Sequence, residues 1–408
     1  MRGNAPPFMF ATGIECSYPV IDRGGAPHRQ DSMEKSKHYR RWREDLHLVR
    51  EELKLTYLRY GPPLHRIFTG TGRYDWTFTD DVFAEMARIG IVPIVDLCHF
   101  GLPDWLGNSF QNPDFPRYLA EYAGAFARRY PWVRFYTPIN EIYVCAKFSA
   151  QLGWWNEREQ SDRAFVTALK HMCLATLAVI EEILAARPDA IFVQSESTEH
   201  FHQSCTSEEA GQIVAFENDR RFLALDALYA HPLSAAMERY VRENGVTTDE
   251  LARFMNNTLG ERCIMGNDYY MTNERMVMSD LSIRETGEIL GWYLVTRQYY
   301  QRYHRPVMHT ETNTLNCSTD PEHWLWKQWH NVQHMRGEGT PVLGFTWYSL
   351  TDQVDWDTAL REDNGTVNPV GLYDLDRKSR PVGREYKTLI HAFGTASLLP
   401  NAPYLSLP

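Results

Sequence analysis

The chain has 408 residues, 43% of them hydrophobic and 23% charged, a balance that suits a folded globular protein and excludes intrinsic disorder. A formal net charge of -10 excludes the basic face that phosphate-backbone binding needs, so no nucleic-acid partner is expected. No run approaches about 18 uncharged apolar residues and Met1–Gly13 lacks a secretory pattern, so no membrane partner is expected and a cytoplasmic location is the default.

Short β-prone apolar runs alternate with longer amphipathic segments from end to end. In chain order, strands are predicted at Phe8–Gly13, Leu55–Tyr60, Val92–Cys98, Val133–Ile139, Ala190–Ser195, Cys263–Asn267, Pro306–Thr310 and Val342–Trp347. Helices are predicted between and after them at Tyr39–Leu53, Asp80–Ile89, Phe115–Tyr130, Ala164–Ala186, Glu209–Tyr229, Glu285–Tyr303, Pro321–Met335 and Arg384–Phe393. Runs such as Ile91-Val92-Pro93-Ile94-Val95 are apolar throughout, as strands covered on both faces are. Eight alternating pairs favour an α/β fold closed into a (β/α)8 barrel over an open sheet. No linker, repeat or low-complexity tract divides the chain, so residues 1–408 are read as one catalytic barrel domain. The long irregular stretches Tyr18–Lys37, Tyr60–Thr77 and Asp352–Arg380 are candidate walls of a cleft, because loops after barrel strands form the ligand face.

The cysteines Cys16, Cys98, Cys145, Cys173, Cys205, Cys263 and Cys317 are scattered singly and read mostly as buried free thiols. His200-Phe201-His202 lacks a partner at metal spacing, and the Gly24-Gly25 and Gly70-Thr71-Gly72 turns lack a phosphate-loop context, so neither a metal nor a cofactor is expected. The fourth predicted strand runs into Asn140-Glu141 and the seventh ends at Glu311, which delivers two carboxyls from nearly opposite strands to one end of the barrel. Glycoside hydrolysis needs such a pair, one acid to attack and one to exchange a proton. Taken singly, each is also an ordinary strand-end carboxylate.

Thr137-Pro138-Ile139-Asn140-Glu141, Leu97 to Leu106 and Gly344 to Trp356 together resemble glycoside hydrolase family 1, and they occur in that family's order. Phe10-Ala11-Thr12-Gly13, Leu58-Arg59-Tyr60, Gly266-Asn267-Asp268-Tyr269-Tyr270 and Gly371 to Asp376 extend the resemblance over most of the chain. It implies a retaining β-glycosidase acting on β-glucoside- or β-galactoside-like substrates, with Glu141 as acid/base and Glu311 as nucleophile. It further implies that Asn140 holds the sugar 2-OH, that Arg59 pairs with the nucleophile, and that Tyr269 bonds it, with Tyr270 as fallback. His99, Trp347, Tyr348, Asp355 and Trp356 would contact the sugar, Asp355 standing where the family has a glutamate.

Several positions depart from the family pattern. The first strand leads to no glutamine, and Glu15 is the available substitute. Ile142 follows the acid/base in place of proline, Thr312-Asn313 follow the nucleophile in place of Asn-Gly, and Tyr348 takes the place of a platform tryptophan. These changes bear on sugar specificity more than on the reaction. A carbohydrate-binding pseudoenzyme and a transglycosidase remain as alternatives, and a homo-oligomer is left open.

Overall fold

The computed structural model describes residues 8–315 and 319–394. Eight parallel strands close into a barrel: β1 (Met9–Ile14), β2 (Tyr57–Tyr60), β3 (Val92–Asp96), β4 (Phe135–Thr137), β5 (Ile191–Ser197), β6 (Cys263–Asp268), β7 (Val307–Glu311) and β8 (Val342–Trp347). Neighbours in the ring are neighbours in sequence, and β1 pairs with β8 through Met9 opposite Gly344 to seal it. A helix follows each strand: α1 (His38–His47), α2 (Thr77–Ile89), α3 (Phe115–Arg129), α4 (Asp162–Ala186), α5 (Glu208–Arg220), α6 (Gly291–Tyr303), α7 (Pro321–Gly337) and α8 (Pro381–Phe393).

The predicted elements therefore hold, with local differences. The segment Glu209–Tyr229 breaks after Arg220 and resumes as a second helix, Leu223–Leu228, because the apolar spacing runs across the break and does not mark it. Glu285 ends a short strand rather than starting a helix, and α6 begins at Gly291. The strands His200–Gln203, Glu274–Val277 and Ile283–Glu285 form a small sheet over the barrel end that periodicity does not reveal. α4 is long and apolar enough to cross a membrane by length and composition, but 72% of its apolar window is buried inside the fold, as in a core helix. Of the cysteines, Cys16, Cys98, Cys145, Cys173 and Cys263 are buried and free, Cys205 is free and half-buried, and Cys317 lies outside the described residues.

The barrel interior changes character along its axis, and this positions the site. Met9, Ala11, Ile94, Ile191, Val193, Ile264 and Met308 pack together inside the ring and plug it. Continuing two or four residues along the same inward faces, which alternate with period two, the side chains become Asp96, Ser195, Ser197 and Asp268. All four are buried polar groups, so the C-terminal end of the barrel is where chemistry can sit.

Candidate active site

A cleft of about 1060 Å³, counting its open mouth, lies at that end, and Glu141 and Glu311 both line it. Glu141 follows β4, where its amide donates to the Ser195 carbonyl (3.0 Å) and its own carbonyl accepts from Cys145 to start the helix Ile142–Ala146. Its backbone is left-handed (φ 43°, ψ 62°), a conformation that a side chain with a Cβ adopts at a cost. Burial pushes its carboxyl well above the ordinary glutamate range, and the charges of Asp268, Glu311 and Glu196 push the same way against Arg59.

Both oxygens of Glu311 accept hydrogen bonds. The Arg59 guanidinium donates to Oε1 (2.7 Å) and the Tyr270 hydroxyl to Oε2 (2.7 Å). Arg59 is fully buried and also donates to the Thr310 carbonyl (2.8 Å) and to Asn140 Oδ1 (3.0 Å), so one cation ties the nucleophile candidate to the neighbour of Glu141. With its oxygen held, the buried Asn140 amide nitrogen has no hydrogen-bond partner among the described residues. Glu15 sits one residue past β1 with Oε1 3.0 Å from Arg59 Nε, and burial raises its carboxyl well above the usual range despite that arginine. His99 is buried on the cleft wall, oriented by a 2.7 Å bond from Nδ1 to Asp96, and its ring stacks at 6.5 Å on Tyr348. Tyr348 lies across the end of β1, where a Cβ on Gly13 would come within 2.5 Å of the ring, and glycine is what leaves that space.

Three assignments need correction, each by the geometry of adjacent residues. Tyr269 does not bond Glu311: its ring stacks on Trp324 of α7 and its hydroxyl donates to Glu274 (2.6 Å), so it faces the helical layer while Tyr270 faces the cleft. Trp347 is fully buried and donates to the Val370 carbonyl (3.0 Å); like Phe345 two residues earlier, which packs on Tyr386 of α8, it points outward, and Tyr348 is the residue on the wall. Asp355 has a left-handed backbone (φ 63°), and its carboxylate turns to Lys35 and to the Thr366 amide (2.8 Å). Trp356 does line the cleft, together with Gln353, which the sequence passed over although it lies only two residues before Asp355.

Among the anticipated walls, Asp352–Arg380 supplies Gln353, Trp356, Thr358 and Arg361. Ser32, Met33 and Ser36 from Tyr18–Lys37 line a smaller recess of about 410 Å³ that shares Tyr348, Gln353 and Trp356 with the cleft. Other parts of the wall were not anticipated, among them Phe148 and Trp154 after Glu141, and Thr272, Asn273 and Arg275 at the small sheet. Two clusters have metal-like spacing among the described residues, Glu15 with His99 and Glu311, and Cys16 with Asp31 and His65. In each a carboxylate already pairs with an arginine, Arg59 or Arg66, which makes both read as ion-pair networks.

The model of glycosyl hydrolase family 1 matches residues 25–287. The aryl-phospho-β-D-glucosidase BglH of Bacillus subtilis is 23% identical over 392 residues, covering 81% of this chain and 82% of its own. The 6-phospho-β-glucosidase AscB of Escherichia coli is 22% identical, covering 85% and 81%. Among solved structures, a family 1 β-glucosidase from Thermotoga maritima superposes with a TM-score of 0.80 at 17% identity over 97% of this chain and 99% of that one. With well over half its length matched by the family model and the eight-stranded barrel in place, the chain belongs to glycosyl hydrolase family 1 and is a glycoside hydrolase.

Proposed function

We propose that this protein is a retaining β-glycosidase that releases a terminal, unphosphorylated β-glucoside- or β-galactoside-like sugar through a covalent glycosyl-enzyme. The observation that carries the reading is Arg59, which joins Glu311 to Asn140 beside Glu141 in one buried network. The Glu311 carboxylate attacks the anomeric carbon while Glu141 gives its proton to the departing oxygen. Loss of the Glu311 charge in the ester then lets Glu141 take a proton from the attacking water, and hydrolysis restores both groups. The unpartnered Asn140 amide nitrogen is a donor suited to the sugar 2-OH, and His99, Gln353, Tyr348 and Trp356 offer hydroxyl contacts and an aromatic face. Two carboxyls and water suffice, so the reaction calls for no cofactor.

An unphosphorylated sugar is favoured because no lysine or arginine is among the residues lining the recess, and Lys35, Arg59 and Arg380 are already neutralised, Lys35 by Asp355 and Asp363, Arg59 by Glu15 and Glu311, and Arg380 by Asp352. A 6-phosphorylated sugar, the substrate class named for the curated relatives, is the second reading; Arg361 favours it, since it lines the cleft with its guanidinium over Trp154.

Aryl β-glycosides, each with and without a 6-phosphate, test both. Turnover of the neutral series is expected, with the product released first as the β-anomer by proton NMR. Glu311→Gln should abolish it, and Glu141→Ala should lower it by about 10²–10⁴-fold for poor leaving groups, with recovery by azide on activated ones. Turnover confined to the phosphorylated series and lost in Arg361→Ala would favour the second reading, whereas an undiminished Glu311→Gln enzyme would remove the nucleophile assignment.

A further inference from the structure

Between the two glutamates lies a third buried carboxyl that the reaction scheme leaves unused. Asp268 ends β6, fully buried, and its backbone register places it opposite Glu311 on β7 and Ser197 on β5. Its Oδ2 accepts a 2.6 Å hydrogen bond from Ser195 Oγ, and the carbonyl of that same serine accepts the amide of Glu141. Ser195 thus bridges the acid/base to Asp268 through a single residue.

We propose that Asp268 is a positioning residue of the reaction, whose negative charge, held beside Glu311 by the strand register and linked to Glu141 through Ser195, makes Glu141 keep the proton it must deliver. This rests on the acid/base reading of Glu141. The surrounding charges are Glu311 from β7, Glu196 from β5, Arg59 from β2, Asp96 from β3 and Glu15 after β1, with the Tyr270 hydroxyl on Glu311. Arg59 is the cation among them, and its hydrogen bonds and ion pairs go to Glu311, Glu15, Asn140 and the Thr310 carbonyl. Asp268 has the hydroxyls of Ser195 and Thr310 beside it and shares the field of Arg59, and its own field reaches Glu141 through the buried barrel wall, where charges are weakly screened. Burial and the Glu311 charge also raise the proton affinity of Asp268 itself, so the two acids titrate as a pair and the Asp268 charge acts on the upper step of that pair.

Asp268→Asn keeps the shape and an acceptor for Ser195 while removing the charge. Two titrations read the consequence: the alkaline limb of kcat/KM on an aryl glycoside, and the carbon NMR shift of glutamate labelled at Cδ, with the Glu141 signal identified by its loss in Glu141→Gln. Both are expected to move down by about one pH unit in Asp268→Asn. Ser195→Ala withdraws the donor that favours the charged form of Asp268, and it should move both in the same direction by less; it carries the test if Asp268→Asn does not fold. Glu141 titrating at the wild-type pH in the folded variants, even with kcat or the melting temperature reduced, would overturn the proposal and leave Asp268 a structural residue. If wild type turns over no glycoside, the hydrolase scheme fails, while the NMR titration still decides what Asp268 does.

Discussion

At the scale of single residues, the site depends on which member of an adjacent pair turns inward. Tyr270 donates to Glu311 and Tyr269 to Glu274, so hydroxyl removal should separate catalysis from stability. Tyr270→Phe is expected to lower kcat/KM by about 10- to 100-fold, the worth of one hydrogen bond to a charged group, with little change in melting temperature. Tyr269→Phe should do the reverse; steady-state kinetics beside thermal unfolding distinguishes them. That Glu141 and Glu311 reach one cleft was legible because each carboxyl follows a recognisable strand. The motif could not choose between Tyr269 and Tyr270 or between Trp347 and Tyr348. A shift of one residue along an extended chain reverses the side chain's direction, and only the packed neighbours, Trp324 and Tyr386, reveal which way it went; at Asp355 it is the left-handed backbone that turns the carboxylate to Lys35.

At the scale of elements, the eight strands and their helices were readable because both faces of a barrel strand are covered and its apolar run is unbroken. The small sheet was not, since its strands are four residues or fewer and half polar. What fixes it is Glu274, which accepts from Tyr269, from His202 (2.7 Å) and from the Leu290 and Gly291 amides at the start of α6. Against the cost of burial, those donors hold Glu274 below the ordinary glutamate value of 4.5. A lowered folded value means the stabilisation is complete above pH 4.5 and drains away as the pH falls below it. Proteolysis within 278–289 is therefore expected to stay level from pH 6 to 4.5 and to accelerate as the pH falls below 4.5, and Glu274→Gln should flatten that dependence by cutting as readily at pH 6.

At the scale of the whole molecule, the barrel is a graded interior: an apolar plug at one end, and at the other Glu15, Asp96, Glu141, Asp268 and Glu311 around Arg59. The plug is visible in the sequence as alternation. The acidic end is not, because its members are spread from residue 15 to residue 311 and only ring closure collects them. Such an end suits a sugar that becomes cationic as its bond breaks.

The left-handed backbone at Glu141 gives the same carboxyl a mechanical side. Glycine would rest there without steric objection, while alanine would not. Both Glu141→Gly and Glu141→Ala remove the proposed proton donor, yet the glycine form should melt about 1–2 °C above the alanine form, and equal melting points would mean that no tension is released. On this view the chain holds a tense turn at Glu141 in exchange for placing a carboxyl on the cleft wall, where glycine would make a sturdier protein without that group.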